Sequence, residues 1–157
     1  MSAPDFSALV TGDEAETEAE GFVIRAKLVR DETVGEPWKE HDGHGPVSEW
    51  RTMNTKRPGE LVLCRDGLSA RFYDFSAACR TARAAFDDFA RLRAWCNDEW
   101  HWIGVVVTAE REELELGRAS LWGIESDSGA YHAKVAAELL PEALADARAT
   151  LAKLVGA

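Results

Sequence analysis

Cysteine is scarce in this chain of 157 residues. Cys64, Cys79 and Cys96 are too few, and odd in number, for a disulfide framework, which points to a reducing cytosol. Long apolar runs are missing as well. The longest lies at 103–107, far short of the roughly 18 residues that a membrane span needs. The first ten residues hold no basic n-region and no apolar h-region, so no secretory signal is expected. Positive charge is in the minority: 18 Lys and Arg against 28 Asp and Glu give a formal −10, which argues against a protein whose main task is to hold phosphates. A Gly-rich phosphate loop, a Gly-x-Ser-x-Gly elbow and a dinucleotide fingerprint are all absent from the sequence. What remains is 46% hydrophobic and 29% charged, an ordinary globular balance, and the length predicts one domain.

The negative charge is unevenly placed. Residues 1–20 carry Asp5, Asp13, Glu14, Glu16, Glu18 and Glu20 with no Lys or Arg, whereas acids and bases balance over 21–100. Residues 1–20 therefore read as a flexible acidic leader, followed by a single domain over 21–157. Such a leader serves either solvation alone or a basic partner, its carboxylates standing in for phosphates. Glu112, Glu113 and Glu115 form a second acidic stretch at an expected hairpin turn.

Residues 21–30 alternate loosely as a half-buried strand does. The connection over 31–59 is rich in Gly and Pro and long for a compact domain; it is either functional or hides a short strand near 47–53. Residues 60–64 and 70–74 are β-prone and flank Asp66-Gly67, which predicts a hairpin. Phe75, Cys79, Ala82, Phe86, Phe89, Leu92 and Cys96 recur at three and four, predicting a helix near 75–97 capped by Asp74 or Ser76. Asp87 and Asp88 then fall on its polar face. The nearly unbroken apolar run 102–109 predicts a central strand, with 114–124 as its hairpin partner. A last helix over 129–155 follows Ser126-Asp127-Ser128, and Pro141 should kink or split it. The order of elements is ββα-ββα. It predicts an α+β fold, a mainly antiparallel sheet of about four to five strands with two helices packed on one face.

Three groups of residues suggest chemistry. His41, Asp42 and His44 sit within four positions in a Gly-containing loop and offer imidazole and carboxylate ligands to a metal, without the second half of any known spacing. Cys96 and His101, with Asp98 and Glu99, suggest a thiolate–imidazole pair or acid–base work, against a helix end fastened to a strand by an aromatic cluster. Tryptophan is plentiful at six. Trp95, Trp102 and Trp122 fit core positions, whereas Trp38 and Trp50 lie in the polar connection near Arg51, Lys56 and Arg57. There they are either binding anchors or rings folded back on a sheet edge.

Gly45-Pro-Val-Ser-Glu-Trp50, Arg71-Phe-Tyr-Asp-Phe75, residues 95–107 and Ser120-Leu-Trp-Gly-Ile-Glu-Ser-Asp127 resemble segments of small uncharacterised accessory proteins of bacteriophages and prophages of Gram-negative bacteria. The likeness spans residues 45–140 and carries over no catalytic residue. It implies an accessory gene product in the host cytoplasm. The expected function is non-enzymatic binding of a host protein, such as a nucleic-acid enzyme, as an inhibitor of a nucleic-acid-directed defence system of the anti-CRISPR or anti-restriction type. The expected contacts are Trp38, Trp50, Glu14, Glu16, Glu18, Glu20, Glu112, Glu113 and Glu115, with no cofactor or metal. Two alternatives stand beside it: a nucleic-acid-associated factor using Arg51, Lys56, Arg57, Arg65 and Arg71, and a small metal-dependent hydrolase using His41, Asp42 and His44.

Overall fold

The computed structural model describes residues 3–78 and 80–156; Cys79 lies outside the described residues. The fold is α+β. Among the described residues there are seven strands: β1 (Glu14–Ala19), β2 (Phe22–Arg30), β3 (Arg51–Thr52), β4 (Glu60–Asp66), β5 (Ser69–Asp74), β6 (Trp102–Arg111) and β7 (Leu114–Glu125). Three α-helices accompany them, α1 (Pro37–Glu40), α2 (Ala82–Cys96) and α3 (Ala130–Gly156). The strands form two antiparallel sheets, of order β1-β2-β6-β7 and β3-β5-β4, where one sheet was expected. The chain also divides into two compact units, one up to Glu32 and from His101 onward, the other Thr33–Trp100. The two hairpin–helix runs fall in different units, so they do not share one face of one sheet.

The first unit holds the four-stranded sheet and α3. β2 and β6 are its inner strands, and the near-continuous apolar run of β6 is buried from Trp102 to Ala109, as a mid-sheet strand should be. Val135, Leu139, Leu140 and Leu144 of α3 pack with Ile24, Ile103, Val105 and Val107 in one apolar cluster. Small residues let the helix come close: a Cβ on Gly117 would stand 2.2 Å from the Ala143 carbonyl oxygen. Pro141 neither ends nor divides α3. It is exposed, as is Ala137, whose carbonyl loses its helical partner and can turn to water instead.

Residues 1–20 are not a leader outside the fold. Glu14–Ala19 pairs with β2 over six positions, and Phe6 and Leu9 enter the apolar cluster. The sequence Glu-Ala-Glu-Thr-Glu-Ala alternates at period two, which puts Ala15 inside and Glu14, Glu16 and Glu18 outside on an edge strand. Charge on an edge strand discourages further pairing. Across the ladder, Arg25 lies 3.9 Å from Glu14 and 3.6 Å from Glu16.

The second unit holds the three-stranded sheet, α1 and α2. The connection over 31–59 does contain a short strand, β3, and Val47 forms a bridge with Tyr73 of β5. The Asp66-Gly67 signal is met by the β4–β5 hairpin, with Gly67 at φ 59°. α2 begins seven residues later than 75, because Thr81 caps it by accepting from the Ala84 N–H at 3.2 Å. Asp74 instead accepts from the Ala77 N–H in a local turn. Within α2 the buried stripe is Ala85, Asp88, Phe89 and Leu92 rather than the one through Ala82 and Phe86, and Phe86 is 58% exposed.

Candidate functional site

The second unit builds a cleft around Arg71. Pro37 presets the first turn of α1 and so places Trp38. Trp38 meets Trp95, in the last turn of α2, edge to face at 5.7 Å. Arg71 rises from β5 with its guanidinium 5.5 Å from the Trp38 ring and 5.1 Å from the Trp50 ring. Its NH1 donates to the Ser48 carbonyl at 3.2 Å, and its NH2 lies 3.6 Å from Glu36 and 3.7 Å from Glu49. The buried cation therefore fills the space among the rings that a ligand ammonium would occupy in an aromatic cage. Beside it is an open cavity of about 270 Å³, where Trp38, Trp50 and Trp95 face Cys64, Arg65 and Cys96. Trp50 is 44% exposed, and the buried Trp38 Nε1 meets no acceptor among the described residues.

This cleft is poorly suited to thiol chemistry. Burial, followed by the neighbouring Cys64, pushes the Cys96 thiol up to about 12, so it stays protonated near neutrality. His101 does not join it in this cleft. The histidine opens the return of the chain into the first unit, where its backbone N–H donates to Ser126 Oγ at 2.9 Å.

A second polar centre lies under the loop 41–47. Asp88 accepts from the Gly45 N–H at 2.8 Å and from the Tyr73 hydroxyl at 2.8 Å, while His44 Nδ1 sits 2.6 Å from its other oxygen. Burial opposes the Asp88 charge, yet these three partners outweigh it and hold its carboxyl below the ordinary value. Burial first, and Asp88 next, raise the Tyr73 hydroxyl, which remains a donor. The arrangement ties the loop to α2. His44 is thereby committed to Asp88, and among the described residues no group of three or more His, Cys, Asp or Glu side chains is placed to hold a metal. His41, Asp42 and His44 form no ligand set.

The remaining residues singled out in the sequence are scattered. Glu20 occupies the β1–β2 turn and pairs with Arg148 at 2.7 Å; Glu115 pairs with Arg118 at 2.9 Å. Glu112 and Glu113 form the β6–β7 turn, and Arg111 reaches from there to the Glu20 and Gly21 carbonyls, so both acidic turns share one end of the sheet. Trp122 is 46% exposed rather than in the core: it lies over Gly104, where a register shift turns β7 at the sheet edge. Of the basic set, Arg51 is bonded to Glu60 at 2.5 Å and Arg71 lies between Glu36 and Glu49, which removes two of the five cations from any phosphate track. Asp88 escaped the sequence reading. Its signal was a carboxylate spaced three and four from Ala85 and Leu92, on the same face as Phe89.

Comparisons of the chain with protein-family models, with curated proteins and with solved structures find no match.

Proposed function

We propose that this is a non-enzymatic binding protein that engages a partner protein through the Trp38–Trp50–Arg71 cleft. The observation that carries the reading is Trp50: a large ring, nearly half exposed, held in place over a buried guanidinium. An aromatic side chain ordered before contact loses little entropy on binding, and truncating such an anchor typically costs about 2 kcal/mol or more. The cleft is lined by three tryptophans around an arginine already engaged by Ser48, Glu36 and Glu49, an arrangement suited to recognition. The partner class we propose is a bacterial nucleic-acid enzyme, met by a phage accessory protein acting as its inhibitor. That part rests on the sequence resemblance and on the two acidic turns, Glu20 and Glu112-Glu113, which suit a basic surface.

The test is affinity capture from the cytosol of a Gram-negative host with the parent chain and with Trp50→Ala, followed by reconstitution with the purified partner. A protein held by the parent and lost by about tenfold or more from Trp50→Ala is expected, tenfold being about 1.4 kcal/mol. Equal retention by both chains overturns the reading. Salt-sensitive binding of duplex DNA below micromolar concentration would favour the nucleic-acid alternative instead.

A further inference from the structure

β4 is the edge strand of the β3-β5-β4 sheet, and its outer side pairs with no strand among the described residues. Along that side runs an open groove of about 620 Å³. One wall is the stretch Leu61, Val62, Leu63, Cys64 and Arg65; the other is α2 and its C-cap, through Phe86, Phe89, Arg93 and Asn97. The helix residues recur at three and four and so form one stripe along the groove. Phe86 and Phe89 meet at 6.2 Å and leave Phe86 58% exposed. Natural edge strands are usually blunted by Lys or Pro or are covered. β4 has neither residue, its one irregularity being a bulge between Val62 and Cys64, and its sequence between Glu60 and Arg65 is wholly apolar.

The two charged side chains lining the groove are both arginines, in a chain of 28 acids and 18 bases. Neither Arg65 nor Arg93 forms an ion pair among the described residues; Arg93 lies 5.9 Å over the Phe89 ring. An open strand edge, an apolar helix wall and unpaired guanidinium groups together match the geometry by which extended peptides join a sheet as an added strand. We infer that the β4–α2 groove takes an extended segment of the partner protein, alternating apolar and acidic residues, as a fourth strand of this sheet. The inference deepens the binding-protein reading: Cys64 and Arg65 line both groove and cleft, so a strand running past Arg65 brings its flanking residues to Trp50. The bulge between Val62 and Cys64 divides the ladder, so the added strand pairs on either side of it, while a second copy of β4 would bring like-charged Arg65 side chains to the same groove.

The probe is a blocked peptide of seven residues, the length of β4, alternating Glu and Val. It is titrated by fluorescence anisotropy against the full chain, with amide exchange read at 61–65. Saturable binding below about 1 mM and slowed exchange at those amides are expected. A version with alternate backbone nitrogens methylated should bind about tenfold or more weakly, because it cannot form the ladder. The Lys-for-Glu version should bind worse than the acidic one to the parent and better to Arg93→Glu, a surface change that leaves the fold intact. No saturation, equal binding of the methylated or Lys peptide, or a β4-mediated dimer in sedimentation overturns the inference. Trp50→Ala separates the two readings: it leaves affinity for this short peptide within about twofold while abolishing partner capture. Partner capture that depends on Trp50, without peptide binding, leaves the cleft standing and this groove rejected. Peptide binding with capture indifferent to Trp50 gives the converse.

Discussion

The two units are held together by different physics. In the first, twenty of the described side chains form one buried apolar cluster between a four-stranded sheet and a 27-residue helix. In the second, the corresponding cluster has six, and buried polar groups take up the remaining burden: Asp88 with its three partners, Glu60 with Arg51, and Arg71 among the tryptophans. An apolar core is insensitive to pH, whereas a satisfied carboxylate stabilises only while it is charged. The difference also divides scaffold from recognition. The exposed Trp50, the cleft and the open edge of β4 all belong to the unit with the smaller core, the kind of region in which local opening is least costly.

The largest expected effect breaks the first unit. Gly117→Val forces a Cβ against the Ala143 carbonyl and the Ala147 backbone nitrogen, both within 2.5 Å, and should cost at least about 3 kcal/mol. Thermal denaturation with hydrogen exchange should place the loss in β6, β7 and α3. The next breaks the second unit. Asp88→Ala strands the Gly45 N–H and the Tyr73 hydroxyl and should cost about 2–3 kcal/mol, with exchange accelerated over 41–47 and α2.

Acid should sharpen the same contrast. Glu60 is also held below its ordinary value, by the Arg51 hydrogen bond against the opposing effect of burial. Both folded values are depressed. Their stabilisation is therefore complete above the ordinary values of 3.8 and 4.5 and is lost as pH falls through the lower folded ones. Protection factors, which correct for the slower intrinsic exchange in acid, should fall in the second unit between about pH 5 and pH 3 before those of the first, and Asp88→Asn should flatten the dependence.

Smaller effects test each unit locally. Glu112 and Glu113 sit at φ 54° and 66° in a two-residue turn that favours Asn-Gly, so the double change Glu112→Asn with Glu113→Gly should stabilise the first unit by about 1 kcal/mol, read as a raised denaturation midpoint. The smallest is Trp50→Ala. With nearly half its surface already in water, its loss should shift stability by less than about 1 kcal/mol, leaving the change in partner binding as its main consequence.

Much of the fold was legible. The apolar run of β6, its hairpin with β7 and the Asp66-Gly67 turn follow from period and turn chemistry, and so does the α3 stripe Val135, Leu139, Leu140, Leu144, Ala147, Leu151 and Leu154 as far as Ala147; Leu151 is half-buried and Leu154 is exposed. β1 was missed because six acids in twenty residues read as a solvated tail, although Glu-Ala-Glu-Thr-Glu-Ala also alternates as an edge strand does. The start of α2 was missed because Phe75 and Cys79 extend its apolar spacing, whereas the cap lies at Thr81. Asp88 was missed because a carboxylate next to Asp87 reads as part of the polar face, and its partners Gly45, His44 and Tyr73 are distant in sequence. Of the candidate site, Trp38 and Trp50 were visible as aromatics without a periodic reason, but nothing local joined them to Arg71.

Composition, period and turn residues by themselves determined that the chain is α+β, where its β4–β5 and β6–β7 hairpins turn, that β6 is buried and which face of α3 is buried up to Ala147. These depend on contacts within a few positions and on the preference of apolar surface for leaving water. The tertiary structure alone decided that the strands divide between two sheets, that Asp88 holds a histidine 44 positions away, and that β4 has an open side. Those outcomes depend on which distant segments close on one another. Each partner looks ordinary in its own sequence context, and only the closure that brings them together gives the pairing its free energy.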